Sequence, residues 1–379
     1  MKRCSSTARP DWQRRVEEQG LLFHSSGAHA STPFSYWAEG VHYAFDASEI
    51  DVIEAATAEL HEMCLEAVAT VIEDRRFAEL GVPELAVPWI ERSWDEDPPS
   101  LYGRMDLAFG PDGVPKLLEY NADTPTSLLE GAVVQWTWLS ECFPEKDQFN
   151  SIHEKLVATW RALAPHLDGN VAHFGCIDDV EDKMTVGYLR DTATQAGLTT
   201  IGIYMGDIGW DRRRGRFVDL GDRPIRNLFK LYPWEGIVQD EFAPLIGRTP
   251  ELRWIEPAWK MLLSTKGILP ILWELFPDHP NLLRASREPI AGGWVRKPLH
   301  GREGNNVTIA TPDVTAETSG PYVDEGFVYQ AYTELGVHDG MRPVIGSWLI
   351  GGEPAGIGIR ETTGYVTNDT ACFVPHVIG

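Results

Sequence analysis

The sequence predicts a mixed α/β fold for the 379 residues of the chain. Three observations lead to this prediction. A hairpin pattern occupies residues 101–120, a strand–helix–strand pattern occupies residues 171–205, and five strand-like segments follow residue 292. Strands and helices that alternate in this way are typical of a layered α/β protein. They argue against both a helical solenoid and an all-β barrel.

The first part of the chain is predicted to contain a long amphipathic helix over residues 48–80. Its apolar residues recur at a spacing of three to four, Ser48 is the predicted N-cap, and Gly81 and Pro83 end it. Strand-like segments 101–109 and 114–120 flank a Gly-Pro-Asp-Gly turn, which predicts an antiparallel hairpin. Pro125 then opens a helix predicted over residues 126–139.

The middle of the chain predicts a small lobe with a parallel sheet. An apolar strand over residues 171–177 is followed by a helix over 178–196, which Gly197 ends, and by a strand over 199–205. Residues 211–223 are basic and predict a solvated hairpin. The last third predicts helical pieces over 259–263 and 266–276, then strands over 293–298, 306–310, 327–332, 343–350 and 356–360.

Composition excludes several classes of partner. Lys and Arg total 33 against 56 Asp and Glu, which gives a net charge of −23. Nucleic acids and anionic membranes need a basic footprint, so neither is an expected partner. No apolar run of about 18 residues occurs, so no membrane span is expected. The five cysteines form no CxxC pair and the first residues resemble no signal peptide, so we expect a cytoplasmic protein.

A first cluster of polar residues lies on the predicted hairpin. Arg104 and Asp106 alternate on one strand, and Glu119 and Asn121 alternate on the other. If the strands pair, two carboxylates and an amide oxygen converge, a ligand set that suits Mg²⁺. Arg104 beside them would bind a phosphate oxygen. The alternative, a solvated sheet face with alternating polar residues, stays open on spacing alone.

A second cluster combines lysines with a glycine-rich turn. Lys266, Lys297 and the turn over residues 301–306, which includes Gly304, would fold over a nucleotide. Hairpins need glycine in any case, so the turn alone is weak support. The sequence contains no GxxxxGK[ST] motif, and no GxGxxG follows the first strand of the middle lobe. A standard P-loop enzyme and a dinucleotide oxidoreductase are therefore not supported.

A third cluster is the acidic stretch over residues 178–182, where a predicted strand meets a predicted helix. Acids at a helix N-terminus stabilise the helix, which is a sufficient structural reason for Glu181 and Asp182. The functional interpretation is a site for a cationic amine. No histidine spacing typical of zinc sites and no GxSxG motif occurs, so a zinc hydrolase and a covalent hydrolase are unsupported.

Several longer segments resemble the synthetase part of the glutathionylspermidine synthase family, and most closely its stand-alone members without an amidase domain. The segments are LYGRMD (101–106), KLLEYNADTPTS (116–127), DQFNSIH (147–153), FKLYPWE (229–235), WIEPAWK (254–260), RKPL (296–299) and GIGIRE (356–361). The resemblance runs from about residue 10 to residue 379. It implies an ATP-grasp fold with a pre-ATP-grasp lobe and a circularly permuted motif order. It further implies an ATP- and Mg²⁺-dependent ligase that joins a small-molecule or short-peptide carboxylate to an amine, such as a polyamine, through an acyl phosphate.

The resemblance also implies roles for individual residues. Asp106, Glu119 and Asn121 correspond to Mg²⁺ ligands, and Arg104 and Arg360 to arginines at the reacting phosphate. Those implied at the nucleotide are Lys266, Lys297, Gly304, Gln330, Ala331 and Tyr332, with residues 330–333 on the adenine side. Those implied at the substrates are Thr124, Glu181 and Asp182.

The implied organisation divides the chain into four parts. A helical segment (1–100) packs on the core, residues 101–165 carry the metal ligands, residues 166–235 form the pre-ATP-grasp-like lobe, and residues 236–379 carry the lysines. This length leaves no room for an amidase domain. Because Leu231 to Pro233 depart from the bifunctional enzyme, the use of glutathione or spermidine stays open, as does association into a homo-oligomer. The alternative function is a nucleotide-binding regulatory or scaffold protein without ligase activity.

Overall fold

The computed structural model describes residues 1–25, 35–98, 100–323 and 325–379. Its α-helices are α1 Trp12–Glu18, α2 Ala47–Glu73, α3 Val87–Asp95, α4 Gln135–Cys142, α5 Ile152–Leu163, α6 Val180–Gln195, α7 Trp234–Ile237, α8 Ala243–Ile246, α9 Met261–Ser264 and α10 Ile268–Leu275. In this part of the chain no helix is long and apolar enough to cross a bilayer. All five cysteines are free.

The strands are β1 Lys2–Ser5, β2 Val41–Phe45, β3 Tyr102–Phe109, β4 Pro115–Asn121, β5 Val171–Cys176, β6 Thr199–Tyr204, β7 Gly209–Asp211, β8 Arg216–Val218, β9 Asn227–Leu231, β10 Arg253–Ile255, β11 Ala285–Ser286, β12 Trp294–Pro298, β13 Thr308–Ala310, β14 Thr315–Glu317, β15 Phe327–Ala331, β16 Arg342–Ile350, β17 Glu353–Thr362, β18 Cys372–Val374 and β19 His376–Ile378. The mixture of helices with parallel and antiparallel strands confirms the predicted fold class.

The central sheet is antiparallel, with the strand order β18-β17-β16-β3-β4. Strands β3 and β4 form the predicted hairpin. Every residue of β3 is buried, although its sequence alternates. The reason is that Met105 and Leu107 join the hydrophobic core that includes α2, while Arg104 and Asp106 line a cavity on the opposite face.

The predicted strand–helix–strand unit is present as β5, α6 and β6, and β5 and β6 are parallel. The sequence analysis did not predict β9 and β10, which extend this sheet in the order β10-β9-β5-β6. Strand β10 lies beyond residue 235, where the predicted lobe ended. A fully buried ion pair between Lys230 on β9 and Asp123 joins the parallel sheet to the loop after β4.

A third sheet, with the order β11-β15-β12-β13-β14, comes from the last third of the chain and is antiparallel. The five strands predicted in the last third of the chain are confirmed. Their ends differ from the predicted ends by two residues or fewer, except that β17 starts at Glu353 rather than at residue 356. Strands β7 and β8 pair as a hairpin over residues 209–218, which begins two residues before the predicted segment 211–223, and Phe217 and Val218 are buried rather than solvated. A small sheet of β1, β2 and β19 brings the two ends of the chain together.

Two predicted helices have different bounds in the structure. Helix α2 begins at Ala47, because Asp46 forms a capping box with Glu49, so Ser48 lies inside the helix. It ends at Glu73, and residues Phe77–Leu80 form a separate 3₁₀ turn. The helix predicted from residue 126 begins at residue 128, because Ser127 has a φ of 66°. A π-helical turn over Glu130–Val134 then leads into α4.

Candidate active site between two sheets

A cavity of about 400 Å³ lies between the central sheet and the third sheet. All the residues to which the resemblance gave an individual role line it. They are Arg104, Asp106, Glu119, Asn121, Thr124, Glu181, Asp182, Lys266, Lys297, Gly304, Gln330, Ala331, Tyr332 and Arg360. These residues come from the central sheet, the loop after β4, the start of α6, the turn between α9 and α10, the glycine-rich turn and the third sheet with the residue that follows β15. The structure therefore brings these residues together, while the role of each residue stays a prediction.

The hairpin register brings the first cluster together. Asp106 pairs with Glu119, and Arg104 pairs with Asn121. Residues that are directly opposite on antiparallel strands project from the same face, so all four side chains reach the cavity. The alternative of a solvated face does not hold for Arg104 and Asp106, since both are buried.

Asp106 is held by two arginines. Arg104 Nε and Nη2 donate to its two carboxylate oxygens at 2.7 and 3.2 Å, and Arg360 Nη2 donates at 2.8 Å. Arg104 Nη1 also donates to the Thr126 carbonyl at 2.7 Å. A Cβ atom at Gly346 would lie 2.8 Å from Arg104 Cδ, so the absence of a side chain there makes room for this arginine.

Glu119 is paired with a lysine from outside the hairpin. Its Oε2 lies 2.8 Å from Lys266 Nζ, which also donates to the Gly301 carbonyl at 2.7 Å. Burial by itself would raise the pKa of Glu119, but Lys266 and Lys297 outweigh it and lower the pKa to about 2. The side chain is therefore an anion over the whole physiological pH range.

The donor set of this hairpin fits a magnesium ion in its chemistry. Across the described ranges, no group of three or more His, Cys, Asp or Glu side chains is placed to hold a metal. The set is two carboxylates and one amide oxygen, which leaves positions for water and phosphate, as Mg²⁺ requires. Asn121 Oδ1 accepts from the backbone N–H of Thr124 at 3.2 Å, which fixes the orientation of the amide.

Lys297 is buried on β12 and connects the two sheets. Its Nζ donates to the Leu118 carbonyl at 2.9 Å and to Gln330 Oε1 at 2.8 Å, and Gln330 Nε2 donates to the Leu117 carbonyl at 2.9 Å. Burial lowers the pKa of Lys297 to about 8, with Glu119 opposing the shift and Lys266 adding to it. A lysine with this pKa titrates close to neutral pH.

The glycine-rich turn is packed against the loop that follows β17. Gly304 has a φ of 66°, and a Cβ atom there would lie 2.6 Å from the Thr367 carbonyl oxygen and 2.6 Å from Val366 Cγ1. Arg302, in the same turn, reaches across the cavity. It donates to Glu235 Oε1 on α7 at 2.6 Å and to Thr124 Oγ1 in the loop after β4 at 3.1 Å. The turn is therefore held between both halves of the cavity.

The acidic stretch forms the end of the cavity at the parallel sheet. Asp179 caps α6, and its Oδ1 accepts from the backbone N–H of Glu181 at 2.8 Å and of Asp182 at 3.4 Å. Burial raises the pKa of Asp182 to about 7, and Asp179 and Glu181 add to the rise. Asp179 thus stabilises the start of α6 as its N-cap, while Glu181 and Asp182 line the cavity.

Sequence reasoning missed part of the lining. Glu235, Arg342 and Tyr365 line the cavity but were given no role, and Arg302 was noted only as part of the glycine-rich turn. The contact between Arg302 and Glu235 joins residues 67 positions apart in the chain. No local pattern carries that information, although Glu235 does lie within one of the segments that resemble the family.

Comparisons with known proteins show the family to which the chain belongs. A family model described as glutathionylspermidine synthase preATP-grasp matches residues 3–379. A protein of Haemophilus influenzae that is provisionally named an acid–amine ligase is 42% identical, and the match covers 99% of both chains. Trypanothione synthetase of Crithidia fasciculata is 31% identical, and the match covers 82% of this chain and 52% of that protein.

A solved structure supports the fold. The glutathione synthetase-like effector of Globodera pallida, in its apo form, superposes with a TM-score of 0.58 at 9% identity, over 97% of this chain and 96% of that one. At such an identity the likeness concerns the fold alone. The family match over nearly the whole chain and the two sequence relatives are decisive: the chain belongs to the glutathionylspermidine synthase family.

Proposed function

We propose that the protein is an ATP- and Mg²⁺-dependent ligase that joins a carboxylate to an amine through an acyl phosphate. As a member of its family it is an enzyme that forms carbon–nitrogen bonds, and its relatives are named as an acid–amine ligase and a synthetase. One observation carries the finer proposal. The paired acids Asp106 and Glu119 share one cavity with four cationic groups, Lys266, Lys297, Arg104 and Arg360.

The proposed chemistry explains why these groups need each other. A carboxylate does not react with an amine at neutral pH, because its oxygen is a poor leaving group. Transfer of the terminal phosphoryl group of ATP converts that oxygen into a good one, and the amine then displaces phosphate. Arg104 and Arg360 are placed to bind the phosphoryl oxygens during the transfer, and Lys266 and Lys297 to bind the phosphates of the nucleotide.

Asp106, Glu119 and Asn121 would hold Mg²⁺, which when bound neutralises phosphate charge and orients the phosphates. The two carboxylates are ion-paired with Arg104, Arg360 and Lys266. These cations are therefore close to any phosphate that approaches the acids. We propose that they exchange part of their contact with the carboxylates for contact with phosphate oxygens.

The proposed domain organisation follows from the same assignment. The central and third sheets would clasp the nucleotide, and the lobe around the parallel sheet would present the amine from the side of α6. In this arrangement the metal-binding hairpin precedes the lysines in the chain, which is the circularly permuted order implied by the resemblance. Glu181, Asp182 and Thr124 would bind the substrates, and closure of the glycine-rich turn would keep water from the acyl phosphate.

The proposal is tested by ADP release with purified Asp106→Asn and Glu119→Gln variants in a panel of carboxylates and amines. Each change keeps the size of the side chain and removes its charge, and each is expected to lower the turnover rate about 10²–10³-fold. Glu353→Gln is a matched control, because Glu353 is an exposed acid paired with Lys155. Turnover that stays at the wild-type level in both site variants would refute the assignment.

Formation of ADP and of a ligated product separates this proposal from the nucleotide-binding regulatory or scaffold alternative. If the protein is a ligase, Mg²⁺–ATP should raise its melting temperature, and ADP should form when the carboxylate and the amine are both present. A protein that binds Mg²⁺–ATP but forms neither ADP nor a ligated product with any substrate pair would support the alternative. Mass spectrometry of the product identifies the carboxylate and the amine.

A further inference from the structure

Four arginines of the described ranges line the cavity, and one of them has a different environment from the others. Arg104 and Arg360 bind Asp106, and Arg302 binds Glu235. In the described parts of the chain, Arg342 forms no ion pair with a carboxylate. It donates to the Thr363 carbonyl at 2.9 Å instead, and its guanidinium lies 4.3 Å from the centre of the Tyr365 ring. Its remaining N–H donors are thus available to a ligand.

The register of the central sheet gives the position of Arg342 relative to the proposed phosphate site. Val344 lies opposite Arg360, while Arg342 lies two residues further out on β16, opposite Thr362. Two residues of a strand span about 7 Å. Arg342 is therefore on the same face as Arg360, but beyond the row of groups that would bind the phosphates.

Just after β15 of the third sheet, which faces the central sheet across the cavity, Tyr332 also lies two residues beyond a residue that contacts the proposed phosphate site. Gln330 accepts a hydrogen bond from Lys297, and Tyr332 lies two residues beyond Gln330 in the chain. Burial, Glu334 and Tyr365 raise the pKa of Tyr332, and Arg342 opposes the rise, so these groups are near each other. Arg342 and Tyr365 line the same cavity as Tyr332, which is one of the residues proposed for the adenine side.

A nucleotide that extends from the phosphate groups toward the adenine side has its ribose between these two regions. We infer that Arg342, held in place by the Tyr365 ring, donates hydrogen bonds to the ribose hydroxyl oxygens of the bound nucleotide. This inference rests on the proposed function, since it needs ATP in the cavity. Arg342 is well suited to the contact because its guanidinium is always charged, is planar and has five donors.

The contact predicts discrimination between ATP and 2′-deoxy-ATP. Binding of each nucleotide with Mg²⁺ is measured by titration calorimetry, without the other substrates, so that no turnover occurs. A hydrogen bond from a charged donor corresponds to about tenfold or more in affinity, so the wild-type protein should prefer ATP by about that factor. Arg342→Met should remove most of this preference, while Arg14→Met, a change in an exposed arginine on α1, should preserve it.

Variants of Tyr365 test how the arginine is held. Tyr365 is 40% exposed, so the stacking contributes modestly, and Tyr365→Leu should weaken ATP binding about two- to fivefold. Tyr365→Phe keeps the ring and should bind ATP as the wild type does. The loss in Tyr365→Leu should be larger for ATP than for 2′-deoxy-ATP.

Two results would overturn the inference. An Arg342→Met variant that weakens both nucleotides equally would mean that Arg342 attracts phosphate or supports the fold, and an unchanged preference would mean that it does not contact the ribose. Both leave the proposed function intact. A wild-type protein that binds neither nucleotide would refute the proposed function and this inference with it.

Discussion

Lys230 and Asp123 form an ion pair in which both side chains are fully buried. Lys230 Nζ donates to Asp123 Oδ1 at 2.5 Å, and its ammonium lies 4.7 Å from the centre of the Trp234 ring. The backbone N–H of Trp234 donates to Asp123 Oδ2 at 2.9 Å. Asp123 adjoins Thr124, which contacts both Asn121 and Arg302. The pair therefore connects the lobe of the parallel sheet to the cavity.

We predict that Lys230→Met destabilises the protein by about 3–5 kcal/mol near pH 7, because it leaves a buried carboxylate without a cation. The carboxylate can escape this cost by binding a proton. Protonating an aspartate from its usual pKa near 3.9 costs about 4 kcal/mol at pH 7 and about 1.5 kcal/mol at pH 5. The protonation cost limits the loss at each pH, so the loss should shrink by about 2–3 kcal/mol from pH 7 to pH 5.

The direction of this pH dependence follows from linkage. Burial raises the pKa of Asp123, and Lys230 opposes that rise, so removing Lys230 raises it further. A carboxyl with a raised pKa in the folded state binds more protons there than in the unfolded state. The variant is therefore most stable, relative to the wild type, below the unfolded pKa, and it loses stability as the pH rises through the folded pKa.

Urea unfolding at pH 5, 7 and 8 measures the effect. Lys230→Met combined with Asp123→Asn should regain most of the loss, because the asparagine is uncharged and its oxygen can still accept from Trp234. Lys155→Met is the exposed control and should cost no more than about 1 kcal/mol. A loss below about 1 kcal/mol in Lys230→Met, or a loss that does not shrink toward pH 5, would refute the reasoning.

Two further predictions concern the nucleotide side of the cavity. Gly304→Ala should raise the KM for ATP and lower the melting temperature, because the added Cβ would lie 2.6 Å from atoms of the loop after β17. Gly113→Ala is the control, because Gly113 has a similar φ of 69° but open space around it. It should cause the same backbone strain and leave the KM for ATP unchanged. Because burial lowers the pKa of Lys297 to about 8, nucleotide affinity should fall between pH 7 and pH 9 as the ammonium is lost, whereas Lys297→Arg should show a flatter profile. An equal KM effect in the two glycine variants, or equal pH profiles in wild type and Lys297→Arg, would contradict these expectations.

The hairpin that carries the proposed metal ligands was predictable from the sequence, because its information is local. Alternation fixed which side chains share a face, and the Gly-Pro-Asp-Gly turn fixed which strands pair. The same locality explains the success with β5, α6 and β6, whose apolar runs are separated by clear helix signals. Lys266 and Lys297 were predicted from the sequence pattern to bind a nucleotide, and only the resemblance joined them to the residues of the hairpin in one site.

The features that escaped prediction depend on contacts between distant parts of the chain. Strand β19 pairs with β2 across more than 330 residues, and each is at most five residues long, so neither has a pattern that distinguishes it from a loop. The helix start at residue 128 depends on the left-handed Ser127, next to the Thr126 carbonyl that accepts from Arg104. Helix propensity alone favours a helix that starts directly after Pro125. In the structure the helix starts later, next to the contact between Arg104 and the Thr126 carbonyl.

The distribution of charge in the cavity adds information that the net charge of −23 conceals. Among the residues that the structure describes, six arginine and lysine side chains and seven acidic side chains line the cavity, so it is nearly balanced and is far less acidic than the chain as a whole. The charges are also separated in space. The hairpin acids are paired with cations, whereas Asp182 at the start of α6 has its pKa raised to about 7 chiefly by burial, with Asp179 and Glu181 adding to the rise. A polyphosphate and a cationic amine would therefore favour opposite ends of the cavity, and the amine would meet the phosphorylated carboxylate between them.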